Sequence, residues 1–461
     1  MSNAVLVLLS RQVISQAGPE VLSIGKDVLS DQVFVWVTDA ERNKPYIKGF
    51  SRDAFGRWKG DLVTGEGWRN LKDLRITKGM VATGYDTIST YWPYSHPLQF
   101  LRTHPWVGSC VNVGCPLRAA LSADEKKVFE NAYRYLTSRQ PGRMDKRTVV
   151  DVSLTEIVAR LHPRAAKEGL ADILDQIPLG PWAINGFKWF SSKTDSEMTI
   201  MLARTPAGVL STSNTIPRLK NKFGTQALPT VKLVLENTRG WLIGQERQGV
   251  EEISSILTLT RIHSTVAAVG SVGRGLAIAR AYSLVREVGA GNQTSMKLLD
   301  SPLHMRILAK LSAEYHLLML VTFYASSILG VSEHGPISPH ASHVLEILTP
   351  PVPGEAHRAA PPNYDTARKG IYVCKASVAL LFSYMEALGG LGYLYNEKQE
   401  YLSVSRVFRD TALHGSYSCA ETSPWGAGLC RRAGADCASS ESFQGLEDGI
   451  LSGFGFRGGL A

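Results

Sequence analysis

Cysteine is scarce in this chain, with six residues among 461. So few exclude a disulfide framework and point to a reducing compartment. Long apolar runs are missing too. The stretch Ala4–Leu9 is short and has no basic residue before it, so it reads poorly as a secretory signal. The later apolar segment 317–329 contains Thr322, Ser326 and Ser327 and is too short to span a bilayer. A soluble, intracellular protein without a membrane span is therefore expected. Its last residues, Gly-Gly-Leu-Ala, are not a peroxisomal Ser-Lys-Leu signal, and cytoplasm, peroxisome and mitochondrion are not separated. No dense Lys/Arg run accompanies the formal charge of +9. The excess reads as a diffusely basic surface, one that favours anionic partners such as nucleotides or CoA esters.

What is present is enough apolar material, 44% of residues, to bury a sizeable core. Up to about residue 136 the pattern is mostly helical, punctuated by Pro93, Pro97, Pro105 and Pro116, with a helix expected over 122–136. From Trp182 to Gly244 the texture becomes short β-rich segments, in which Val231, Leu233 and Leu235 alternate with Lys232, Val234 and Glu236. Helical periodicity returns at Glu251. A stripe of Ile253, Ile256, Leu257 and Ile262 is followed by Val266, Gly270, Gly273 and Ala277, among which the small residues let another helix approach closely. A second long helix begins after Pro302. A third, over 367–388, follows the proline-rich interval 350–362 and ends at Gly389-Gly390 as a C-cap. Residues 415–461 hold ten of the 42 glycines and three of the six cysteines, and read as a loose tail. The expected fold class is α+β, mainly α. It comprises an N-terminal helical domain (1–137), a small middle β domain (138–245), a C-terminal four-helix bundle (246–413) and an atypical Gly/Cys-rich tail (414–461).

Several blocks, in this order, resemble the acyl-CoA dehydrogenase family, in particular its fungal members near the alkylation-response branch. They are Gly186-Phe-Lys-Trp189-Phe-Ser191-Ser192, then Lys222-Phe223-Gly224-Thr225 with Leu235-Glu236, then Arg261 with Gly270, and Arg286 with Gly289. The last are Glu386-Ala-Leu-Gly389-Gly390-Leu-Gly392-Tyr393 and Arg409-Asp410. The likeness implies an FAD-dependent oxidoreductase that introduces an α,β-double bond into an acyl-CoA or related thioester. The pathway would be one of fatty-acid or secondary metabolism, and the electron acceptor is unassigned. It implies a homodimer or homotetramer. By the same likeness Trp189 and Ser191 line the flavin ring, Arg286 helps hold the adenosine-diphosphate part across a subunit contact, and Glu386, Gly389 and Gly390 complete the cofactor set. The chemistry agrees: a Gly-Gly pair after a helix offers free N–H groups to a pyrophosphate, and an Arg fork suits a phosphate.

Three places depart from the family pattern. The flavin loop before the β domain carries Val149 and Val150 where relatives have glycines, which should weaken flavin affinity. Neither family seat for the α-proton base is filled. No Glu-Gly-Thr follows Asp410, and Thr260 precedes Arg261. The catalytic residue is therefore unknown, Glu421 being the nearest carboxylate in sequence. Beyond about residue 411 the likeness stops, as an altered splice site or reading frame would produce. Two other readings stay open: a catalytically degenerate family member, and a flavoprotein associating with nucleic acid, although nothing resembles a base-reading element. Gly270-x-x-Gly273-x-Gly275 lies in a helical stripe and reads as helix packing, not as a nucleotide loop. Glu333, His334, His340 and His343, like Cys419, Cys430 and Cys437, lack metal-ligand spacing, so no metal is expected. Cys115-Pro116 reads as structural.

Overall fold

The computed structural model describes residues 23, 25–52, 58–79, 145–151, 157–161, 180–192, 194–201, 203, 215–242, 249–291, 294–334, 369–395 and 403–419. The helix expected over 122–136, the proline-rich interval 350–362, Cys115, Glu421, and the tail beyond Cys419 lie outside these residues. The described part is mainly helical with small sheets.

Two short helices open it, α1 (Asp31–Arg42) and α2 (Glu66–Thr77). The Ser30 hydroxyl accepts from the Val33 N–H and starts α1, with Asp31 in its first turn and Arg42 in its last, as the helix dipole favours. The two helices are tied where Asp39 Oδ2 accepts from the Gly67 N–H at 2.6 Å. Between them stands an antiparallel hairpin, β1 (Tyr46–Arg52) and β2 (Trp58–Val63). The reading of this part as mostly helical did not include this hairpin. Tyr46 and Ile47 suit the extended pairing, and Gly49 at φ +80° marks the register shift after Lys48.

The middle elements are β3 (Asp145–Asp151), β4 (Ile157–Leu161), β5 (Trp182–Ser192), β6 (Ser196–Met201), β7 (Thr215–Leu219) and β8 (Thr230–Gly240). A four-stranded sheet runs β4-β5-β8-β7, all antiparallel, while β3 pairs with β6 in parallel. In β8 the expected alternation holds: Val231, Leu233 and Leu235 are buried, and Lys232 and Val234 are half-buried. Leu235 joins Ala159, Trp182 and Ile184 in a core on one face. Asp195, in the β5–β6 turn, accepts from Trp68 Nε1 at 2.8 Å and from Lys72 Nζ at 2.7 Å, which docks α2 on the sheet.

The bundle comprises α3 (Gly249–Val285), α4 (Pro302–His334), α5 (Lys369–Ala387) and α6 (Val404–Cys419), with a small hairpin of β9 (Glu287–Gly291) and β10 (Thr294–Lys297) between α3 and α4. Helix α6 runs past the expected boundary at residue 413. Its core includes Val272, Leu276, Leu311, Leu318, Leu381, Tyr384 and Val407. On α3 the buried face is Ile262, Val269, Val272, Leu276 and Ala279, whereas Gly270 and Ala277 are exposed. The expected stripe was therefore out of phase beyond Ile262, because α3 is apolar on most sides and periodicity alone does not choose a face. The small residues do admit neighbours. A Cβ on Gly273 would stand 2.8 Å from the Tyr315 hydroxyl of α4, and one on Gly275 2.8 Å from the Tyr384 ring of α5. Tyr384 donates to the Leu311 carbonyl at 3.2 Å, and burial pushes its phenol pKa up. Among the described residues no helix is long and apolar enough to cross a membrane, and no group of His, Cys, Asp or Glu is placed to hold a metal.

Candidate functional site

Helix α5 ends where the sequence places a C-cap. Leu388 leaves the helix, and Gly389 adopts φ +58°, a left-handed angle that glycine reaches without the Cβ clash other residues incur. Gly389 and Gly390 are exposed. A Cβ added at Gly389 would meet nothing within 4 Å, and one at Gly390 only the Tyr393 ring at 3.8 Å. The peptide groups of this turn are therefore open to a ligand. Glu386 is exposed one turn back on α5. Arg286 follows the last turn of α3. Its backbone N–H donates to the Tyr282 carbonyl and its carbonyl accepts from the Leu298 N–H, each at 2.9 Å. Its side chain is exposed, with no hydrogen-bond partner among the described residues.

The ring side is arranged differently. Ser191 lies near the end of β5 opposite Val231 and is only 3% exposed. Its carbonyl accepts from the Thr194 hydroxyl at 3.2 Å. Trp189 lies on the same strand, and its side chain is outside the described residues. Among the described residues no hydrogen bond links β5 to Arg286 or to the Gly389–Gly390 turn. The glycine turn and the Arg286 side chain are thus both exposed on the described surface. Ser191, by contrast, is buried.

One junction had no counterpart in the sequence reading. The Lys222–Thr225 block and the Arg409-Asp410 pair, two separate blocks of the family likeness, meet each other. Asp410 Oδ1 accepts from the Thr225 N–H at 2.6 Å, and Asp410 Oδ2 pairs with Arg406 Nη1 at 2.8 Å. Lys222 closes the loop by donating to the Thr225 carbonyl at 2.6 Å, the Thr225 hydroxyl at 3.2 Å and the Leu228 carbonyl at 2.7 Å. Burial lowers the Lys222 pKa from 10.5 to about 8, against the opposing pull of Asp410 and Glu41. A cavity of about 210 Å³ lies beside this loop, lined by Lys44, Pro45, Lys220, Asn221, Lys222 and Gln226 among others. None of the proposed cofactor residues lines it.

Comparison with known proteins bears on this frame. No family model matches the chain. It is 28% identical over 397 residues to Acyl-CoA dehydrogenase family member 11 of Caenorhabditis elegans, which spans 77% of this chain and 58% of that protein. That likeness is distant and covers little more than half of the relative. It is also 20% identical over 278 residues to the putative acyl-CoA dehydrogenase AidB of Escherichia coli, across 56% of this chain and 45% of that protein. The chain thus spans about half the length of these curated relatives. Among solved structures, Caenorhabditis elegans ACDH-11 in complex with C11-CoA superposes with a TM-score of 0.68 at 22% identity, covering 98% of this chain and 79% of that one. The Bd2924 apo-form gives 0.68 at 24% identity, covering 98% and 91%. These likenesses give the chain an acyl-CoA dehydrogenase-like fold.

Proposed function

We propose that this chain is an FAD-dependent oxidoreductase that introduces an α,β-double bond into an acyl-CoA or related thioester. The observation that carries this reading is the exposed Gly389–Gly390 turn at the end of α5, with open peptide groups where the family likeness seats a pyrophosphate. When bound, a flavin supplies the hydride acceptor for such a reaction. This chain's own contribution is binding. The N–H groups of the turn would offer donors to a diphosphate, Arg286 would add a planar charged fork, and strand β5 with Trp189 and Ser191 would supply the layer against the ring. An acyl thioester as substrate accords with the C11-CoA bound to the solved relative. No carboxylate is assigned as the base. The division into an N-terminal unit, a β unit and a bundle, assembled as a homodimer or homotetramer, belongs to the same proposal.

A second reading, a member that keeps the scaffold without the chemistry, is favoured by one observation. The segment that aligns with the family's glycine-containing flavin loop is here strand β3, with Val149 paired to Thr199 and Val150 to Ile200. An absorbance spectrum of purified protein with added FAD, before and after a panel of CoA esters, separates the two. A yellow protein that bleaches with an acyl-CoA supports the enzyme. A yellow protein that no ester bleaches supports the silent scaffold, and failure to take up FAD sinks the flavin reading altogether.

A further inference from the structure

Thr225 has φ +47°, a left-handed angle that a β-branched residue adopts only under constraint. Three contacts hold it there. Its N–H is taken by Asp410, its carbonyl and hydroxyl by Lys222, and the preceding Gly224 sits so close to α6 that a Cβ would stand 2.6 Å from the Arg409 carbonyl. The neighbour of Asp410 reaches the other way. The Arg409 guanidinium lies 4.8 Å from the centroid of the Tyr395 ring and donates to its hydroxyl at 3.1 Å. Tyr395 lies shortly after Gly389 and Gly390 in the chain. The stretch between is stiffened by bonds from the Gly392 N–H to the Gly389 carbonyl at 2.9 Å and from the Leu394 N–H to the Leu391 carbonyl at 3.3 Å.

We propose that Asp410 is a positioning residue: it pins the strained Lys222–Thr225 clasp of the sheet onto α6, and through Arg409 and Tyr395 this junction sets where the Gly389–Gly390 turn stands. Backbone strain persists only where the surroundings over-determine it. Without the Asp410 carboxylate, Thr225 relaxes towards extended angles, Gly224 lifts from the Arg409 carbonyl, and α6 loses its register against the sheet. The Arg409–Tyr395 stack then no longer fixes the end of the glycine turn. The idea rests on the flavin reading only for what the turn holds.

The test uses the full chain as wild type, Asp410→Ala, Thr225→Gly and the double variant. Amide hydrogen exchange is followed at 222–228 and 388–395, and FAD binding by fluorescence. Asp410→Ala is expected to speed exchange at both segments by on the order of tenfold, leave the α3–α4 core unchanged, and weaken FAD binding severalfold. Glycine accepts a positive φ freely, so adding Thr225→Gly should restore much of the protection and of the affinity. A double variant no better than Asp410→Ala, or fast exchange confined to 222–228, overturns the proposal. Should Asp410→Ala fail to fold, Asp410→Asn is read by the same criteria. Should wild type bind no FAD, the proposed function fails, while the pin is still judged by exchange and by rescue.

Discussion

Lys222 carries an ammonium into a loop largely closed to water and distributes its protons over three oxygens. The folded chain holds that proton less tightly than the unfolded one, with a pKa of about 8 against 10.5. Below pH 8 both states are protonated, and the folded state bears the full cost of burying the charge. Between 8 and 10.5 the unfolded chain keeps a proton that the folded chain has released, so stability rises with pH across that window. Wild type should therefore gain on the order of 3 kcal/mol of stability relative to Lys222→Met as pH rises from 7 to above 10.5. Urea unfolding of both proteins at several pH values checks this, since other titrations cancel in the difference. A gap independent of pH would mean that the ammonium is as well solvated folded as unfolded.

At the scale of elements, the fate of 145–151 decides how the family likeness is to be weighed. Valines do not reach positive φ, but they suit an extended strand, and the segment pairs in parallel with β6. Replacing Val149 and Val150 together by glycine should therefore lower stability by about 2 kcal/mol and leave FAD affinity unimproved. Denaturant unfolding and a flavin titration give the two readouts, and a gain in affinity would revive the loop reading. The same element shows why sequence carried some parts of the fold and not others. Strand β8 was legible because its alternation is a local property, and so was the end of α5, because a Gly-Gly pair stops a helix wherever it falls. The hairpin over 46–63 was hidden in a region whose prolines and glycines blur any period. The buried face of α3 was mis-phased because nearly every side is apolar. The contact of Thr225 with Asp410 spans 185 positions, and no local spacing tells which loop will meet which helix.

Across the whole molecule, the bundle leaves one face of α4 apolar towards solvent. Leu303 is 70% exposed, Ile307 45% and Leu317 52%, and with Lys310 and Glu314 they recur at three- and four-residue steps along one side of the helix. The buried side of the same helix is Leu308, Leu311 and Leu318, so the two faces are distinct. Lys310 and Glu314 pair with each other at 3.9 Å, which mutes the charge in the middle of the exposed stripe. Covering such a side chain is worth about 1.5–3 kcal/mol. If the chain assembles as a homodimer or homotetramer, this face is one that association would cover with gain. Leu303→Glu combined with Leu317→Glu would place four carboxylates across a two-fold contact and should weaken self-association by at least about a hundredfold. The fold of the single chain should be untouched, because neither side chain contributes to the bundle core. Light scattering coupled to size exclusion reads the mass directly, and circular dichroism reads the helices. A wild type that is an oligomer and a double variant of the same mass would move the contact to another face. A monomeric wild type would detach the family's assembly from this chain.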